Sequence, residues 1–203
     1  MLFLLLVFVN FKLMKIMDFE GAPINHIPKE VGNLFHLRYL SLRDTKVQVL
    51  PKSIGKLQNL ESLDLKRSLV YKLPMEINGL CKLRYLVAYI GNNNIDVSFG
   101  SRRPVKIQSS IESLKSLEKL YNVEADCAAL VEELGRLTQL RKLEISKLKR
   151  EHGMSLCTAL EKMSYLRSLR LSSTSEEENL ELQSMSSANY FPIALSFSLL
   201  AMY

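Results

Sequence analysis

The side chains able to do chemistry are few and scattered. The thiols are Cys81, Cys127 and Cys157, and the imidazoles are His26, His36 and His152. A nucleophilic thiol needs a base placed beside it, and neither Cys81 nor Cys157 has one nearby in sequence. A structural zinc site needs four ligands, usually drawn from CxxC pairs. Three cysteines without such pairing exclude a four-cysteine zinc site and a disulfide-dense secreted scaffold. Cys127 and Cys157 lie in apolar contexts that suit inert core thiols. Phosphate-binding loops of the G-x-x-x-x-G-K-[ST] or G-x-G-x-x-G kind do not occur, nor do G-x-S-x-G and H-E-x-x-H. The expectation is a chain that is not an enzyme and takes no cofactor, metal or small-molecule substrate. The chemistry left is recognition by tyrosines, arginines and charged residues, the types that anchor protein interfaces.

Those side chains act only where a scaffold presents them. Of 203 residues, 38 are Leu, which asks for a repeat search before anything else. Apolar residues make up 47% and charged ones 24%, which excludes a disordered chain. The length suffices for a buried core without staples. Lys and Arg number 27 against 21 Asp and Glu, a net charge of +6. Arg102 with Arg103 and the KLKR run at 147–150 are the basic clusters, and no aromatics interleave them. That pattern reads as a solvated face and not as a nucleic-acid site.

Residues 11–33, 34–56 and 57–79 superimpose at a period of 23. Pro28, Pro51 and Pro74 recur at that interval, as do Leu34, Leu57 and Leu80, then Leu37, Leu60 and Leu83, then Leu40, Leu63 and Leu86. The template LxxLxxLxLxx[TS]xVxxLPxxIGx is that of a leucine-rich repeat. Its LxL alternation makes a short half-buried strand. A single repeat cannot bury its leucines, and stacking puts each row against the same row of the next. The expected fold is therefore α/β: a curved solenoid with short parallel strands on the concave face and an irregular or short-helical convex side. Thr45 and Ser68 follow the strands where a hydroxyl can satisfy turn backbone. The prolines end ladder pairing, and Gly32 and Gly55 permit turns. His26 and His36 share columns with Val49 and Lys72, and with Asn59 and Lys82, so both read as surface residues.

The fourth repeat opens with Leu80, Leu83 and Leu86, and then the pattern stops. Residues 91–110 carry Gly, Asn and Pro turn chemistry and read as an insertion loop leaving the solenoid. Periodicity returns with Leu114, Leu117 and Leu120, matched 23 residues later by Leu137, Leu140 and Leu143, and then at 26 by Met163, Leu166 and Leu169. Residues 128–137 and 155–163 read as short amphipathic helices on a longer convex side. Asn122 stands where an apolar residue belongs, which suggests a bulge. The acidic run at 176–178 and the serines of 184–187 read as loop. The count is about seven repeats, arranged as an apolar N-terminal segment at 1–10, repeats at 11–90, the insertion at 91–110, repeats at 111–188 and an apolar off-pattern tail at 189–203. The apolar run at 2–9 is too short to span a bilayer. It reads as a core strand of a preceding unit, with the core of a signal sequence as the alternative.

Alternation along each strand assigns the outward residues. The expected protein-binding face holds Tyr39 and Arg43, then Asp64 and Lys66, then Tyr85 and Tyr89, then Lys119, Lys142, Glu144 and Arg170. Tyr39, Tyr85 and Tyr89 read as its aromatic patch.

Residues 20–74, 109–126, 133–153 and 156–173 together resemble the repeat region of plant intracellular disease-resistance proteins of the coiled-coil, nucleotide-binding class. The resemblance covers about residues 11–188. It implies a cytoplasmic module of innate immunity that binds proteins: a pathogen effector, a guarded host protein, or the nucleotide-binding domain that such repeats hold inactive. No nucleic-acid or membrane partner is expected. The nucleotide-binding and coiled-coil parts do not appear, so this chain alone is expected neither to bind ATP or ADP nor to signal by that route. The off-pattern ends fit a truncated product, with a decoy or adaptor role as one alternative. An extracellular receptor ectodomain fits less well, since such repeats usually run at 24 residues with an LxGxIP segment.

Overall fold

Every leucine of the LxxLxxLxL frame from Leu34 to Leu171 that the structure describes is buried, and the sheet is built around those rows. The computed structural model describes residues 2–91, 103–107, 111–125, 127–173 and 194–197. Its strands are β1 (Ile16–Asp18), β2 (Tyr39–Ser41), β3 (Ser62–Lys66), β4 (Lys72–Leu73), β5 (Tyr85–Tyr89), β6 (Val105–Ile107), β7 (Lys119–Glu124), β8 (Lys142–Leu148), β9 (Ser168–Ser173) and β10 (Ala194–Phe197). The main ladder runs β1-β2-β3-β5-β7-β8-β9-β10, and each neighbouring pair is parallel. Leu40, Leu63, Leu86, Leu120, Leu143 and Leu169 are direct register partners across six strands. This is the expected solenoid.

The convex side changes along the chain. In the first three repeats Pro28, Pro51 and Pro74 begin tight 3-10 turns, with φ of −70°, −68° and −69°. Farther on, α2 (Ala128–Leu134) and α3 (Gly153–Glu161) take that place. The helix α2 stops where Gly135 caps it, short of the expected 137. Thr45 Oγ1 donates to the Leu42 carbonyl at 2.7 Å, and Ser68 Oγ donates to that of Leu65 at 2.8 Å. Both hydroxyls are buried, so each satisfies a turn carbonyl that water cannot reach.

The glycine column has a different reason from the one read in sequence. Neither Gly32 nor Gly55 has a positive φ. Instead successive turns touch backbone to backbone. A Cβ on Gly32 would lie 2.7 Å from both the Cβ and the carbonyl oxygen of Ser53. On Gly55 it would lie 2.9 Å from Glu76 Cβ and closer still to the Glu76 carbonyl oxygen. Gly135 keeps the same kind of distance from Ala159, at 2.9 Å to its Cα.

Four segments depart from expectation. Residues 2–9 belong to a helix, α1 (Leu2–Asn10), and not to a strand. A uniformly apolar run has no period to choose between the two, and a helix satisfies its own backbone without a neighbouring strand. Phe8 is buried there, 6.0 Å from the Phe19 ring. Second, the fourth repeat does not stop at the insertion. Val105, Lys106 and Ile107 form β6, which pairs in parallel with β4 and with the end of β7. Ile107 occupies the rung of Leu73, and Leu114 follows Leu80 after 34 residues where 23 is the norm, eleven more. Reciprocal backbone bonds between Ile90 and Arg103, at 3.1 and 2.8 Å, tie the two sides of the insertion together. Third, β10 adds a rung inside the tail expected to be off pattern, with Ala194 opposite Ser168. Fourth, Cys127 is exposed, while Cys157 is buried as expected. Asn122 has φ 55°, and the β7–β8 register shifts beside it, the expected bulge. Arg102, the acidic run at 176–178 and the serines of 184–187 lie outside the described residues.

Candidate protein-interaction face

The concave side of the sheet is the side the leucine rows do not use. Its first row runs in register through Tyr39, Ser62, Tyr85, Lys119, Lys142 and Ser168. Tyr85 lies at the centre of the row, half-buried. The Arg84 guanidinium stands 5.3 Å from its ring centroid and the Lys119 ammonium 4.8 Å, both within cation–π range. Tyr39 lies two strands away, roughly 10 Å by sheet spacing, with Ser62 between them. Tyr89 sits farther along β5, opposite Lys66. The three tyrosines are therefore spread over the face and do not form one cluster.

Ion pairs organise much of what remains. Arg43 reaches Glu20 at 3.2 Å, Lys66 reaches Asp64 at 3.6 Å, and Arg170 reaches Glu144 at 3.6 Å. Asp64 also accepts the Lys66 backbone N–H at 2.9 Å, which fixes its carboxylate at the strand end. Glu144 keeps its place on this side but is only 6% exposed, so it serves Arg170 more than it meets solvent. At the turn after the strands, Asp44 and Arg67 occupy equivalent positions of consecutive repeats, and both are left-handed, φ 55° and 53°. Their carboxylate and guanidinium pair through two hydrogen bonds. The bond from Arg67 holds the Asp44 carboxyl below its ordinary value, against the opposing effect of burial. The same bond raises Arg67.

Sequence reading missed two arrangements. The first is a column one residue before each strand. Arg38 pairs with Glu61 at 3.3 Å, and Glu118 takes both Arg84 at 2.7 Å and Arg141 at 3.7 Å. The backbone of this column is continuous too. The N–H groups of Glu61 and Ser62 both donate to the Arg38 carbonyl, and those of Arg84 and Tyr85 to that of Glu61. The Arg38–Glu61 and Glu118–Arg141 pairs, each 23 residues apart, are visible in the sequence once the repeats are superimposed, whereas Arg84 and Glu118 are 34 apart. The second is Glu124, nearly buried between Lys106 at 3.3 Å and Lys147 at 3.1 Å. No local pattern joins those three, because an insertion separates β6 from its repeat. His152 is also buried, and its Nδ1 accepts the Lys149 backbone N–H at 3.3 Å. His26 and His36 are exposed, as expected.

Among the described residues no group of His, Cys, Asp or Glu could hold a metal ion, and no helix is long and apolar enough to cross a membrane. A family model for a leucine-rich repeat region matches residues 3–201, nearly the whole chain. The chain belongs to the leucine-rich repeat family. Within that family its sequence is related to the disease resistance protein RPM1 of Arabidopsis thaliana, with 35% identity over 106 residues. That match takes in 51% of this chain and 11% of RPM1, so the chain spans a small part of that relative's length. Among solved structures, a leucine-rich repeat protein of Leptospira interrogans is 24% identical, covers 78% of this chain and 43% of its own, and has a TM-score of 0.48. The repeat ectodomain of a plant membrane receptor kinase from Arabidopsis thaliana is 20% identical, covers 78% and 24%, and has a TM-score of 0.38. By its family model and its identity to RPM1, the chain is a leucine-rich repeat region related to a plant disease resistance protein.

Proposed function

We propose that this chain is the sensing and restraining repeat module of a cytoplasmic plant immune receptor. The single observation that carries the reading is the identity to RPM1 over 106 residues. In this reading the concave face, from Tyr39 and Arg43 through Tyr85 and Lys119 to Arg170, contacts a pathogen effector, a guarded host protein, or the nucleotide-binding domain. The repeats at 11–90 and 111–173 act as one surface, since a solenoid presents a continuous concave side. No chemistry beyond binding is required of it.

The test is a chimaera. The repeats replace the matching stretch of the Arabidopsis protein, and leaf tissue is scored for defence output with and without pathogen challenge. Tyr39→Ala with Tyr89→Ala should change output at unchanged protein level. Either restraint is lost and output appears without challenge, or the response to challenge disappears. A chimaera whose output ignores every concave substitution refutes the proposal.

A further inference from the structure

Most charged side chains on the concave face already have a resident partner. Arg43 has Glu20, Lys66 has Asp64, and Arg170 has Glu144. Lys119 and Lys142 are different. They are direct register partners on β7 and β8, so they stand side by side on one face, roughly 4.8 Å apart by strand spacing. Like charges placed directly opposite each other weaken a sheet. Neither lysine makes an ion pair among the described residues. The acids nearest in sequence are already held: Glu118, beside Lys119, by Arg84 and Arg141, and Glu144, two residues after Lys142, by Arg170. Lys142 is exposed and Lys119 half-buried, and the Lys119 ammonium rests over Tyr85. The result is an uncompensated cationic pair beside an aromatic platform, at the middle of the face.

We infer that the protein docked on this face presents an extended acidic segment, with carboxylates received by Lys119 and Lys142 beside Tyr85. The inference rests on the concave face being the contact surface and adds the chemistry of what it contacts. Two ammonium groups one strand apart match one or two carboxylates. A long polyphosphate carries charge along its whole length and would also meet Asp18 and Asp64, which line the same side in register with Ser41, whereas a protein segment can confine its acids to the part over Lys119 and Lys142. A protein segment is therefore favoured over nucleic acid.

The experiment measures binding of a fluorescein-labelled peptide of alternating Glu and Gly to the whole chain by polarisation. Its controls are a Ser-Gly peptide and a short oligothymidylate. The Glu-Gly peptide should bind, more weakly as salt rises. Lys119→Gln with Lys142→Gln should weaken it about tenfold, the yield of two solvent-accessible charge pairs. Lys56→Gln with Lys162→Gln, on exposed convex positions, should leave it unchanged. The melting temperature of the concave double variant should stay within about 2 °C of the parent, which separates lost contact from lost fold. No binding, equal binding by the Gln variant, or tighter lysine-dependent binding of the oligothymidylate overturns the inference. A photocrosslinker at Tyr89 in leaf tissue separates the two levels. Protein crosslinks that persist in the Gln variant sink only the acidic class, and no crosslinks with either form sink the concave reading itself.

Discussion

Replacing Gly55 with Ala tests why glycine recurs on the convex side, because two explanations predict opposite signs. If Gly55 only served a turn, its φ would matter, yet it is not left-handed. An alanine there would then stabilise the fold by about 0.4–1 kcal/mol, by narrowing the unfolded ensemble. The packing explanation predicts the reverse. The new methyl would sit 2.9 Å from Glu76 Cβ and nearer to the Glu76 carbonyl oxygen, and backbone cannot step aside as a flexible side chain does. Forced overpacking of this kind costs about 1–3 kcal/mol. For a chain of this size that is a fall in Tm of roughly 2–12 °C. Differential scanning calorimetry of parent, Gly55→Ala and Gly32→Ala decides it. Gly32 faces Ser53 at 2.7 Å and should fall in the same range. Gly91, whose nearest neighbour is the Tyr89 ring at 3.5 Å, is the control for ordinary contact. A rise in Tm at Gly55 refutes the close-approach argument.

Leu63, fully buried between Leu40 and Leu86, should not tolerate a charge. Leu63→Asp should cost several kcal/mol, about the penalty of an unpaired buried carboxylate, while Asp64→Ala should lose about 0.5–1.5 kcal/mol with its hydrogen bond to the Lys66 N–H; equal losses in urea unfolding contradict the strand register. Asp44 has a folded pKa below its ordinary 3.8, so its contribution is present above that value and fades as pH falls through the lower one. Asp44→Asn should therefore lower Tm at neutral pH and converge with the parent in strong acid, as followed by circular dichroism. Glu124→Ala should free Lys106 and Lys147 and speed exchange of the Lys106 amide, which donates to Tyr71 at 3.0 Å; unchanged protection there would mean that β6 does not depend on Glu124.

The parts of this fold visible in the sequence are those that repeat locally. Leu40, Leu63 and Leu86 recur at a fixed interval, so their burial and the register of β2, β3 and β5 follow from spacing. Asn122 interrupts an apolar row and marks its own bulge. What stays hidden depends on contacts between distant residues. Val105-Lys106-Ile107 is too short to announce a strand, and only β4 and β7 on either side make it one. The run at 2–9 has no alternation, so its helix could not be told from a strand. Glu144 has the right parity for the open face, but its burial depends on what lies around it. The reach of Glu118 to both Arg84 and Arg141 depends on a 34-residue repeat that looked like the end of the pattern.

The paired backbone bonds between Ile90 and Arg103 hold the two ends of the stretch between them together at one point. Because backbone alone makes this closure, a change of length between those residues is expected to leave Ile107 on the rung of Leu73 and Leu120 on that of Leu86. Doubling the length of a loop costs only about 0.6 kcal/mol in closure entropy. Sequence can thus be gained, lost or exchanged at this junction, by recombination or by an engineer grafting an epitope, without downstream repeats having to be recounted. The solenoid carries a port for variation halfway along its length, separate from the residues that keep its rungs aligned.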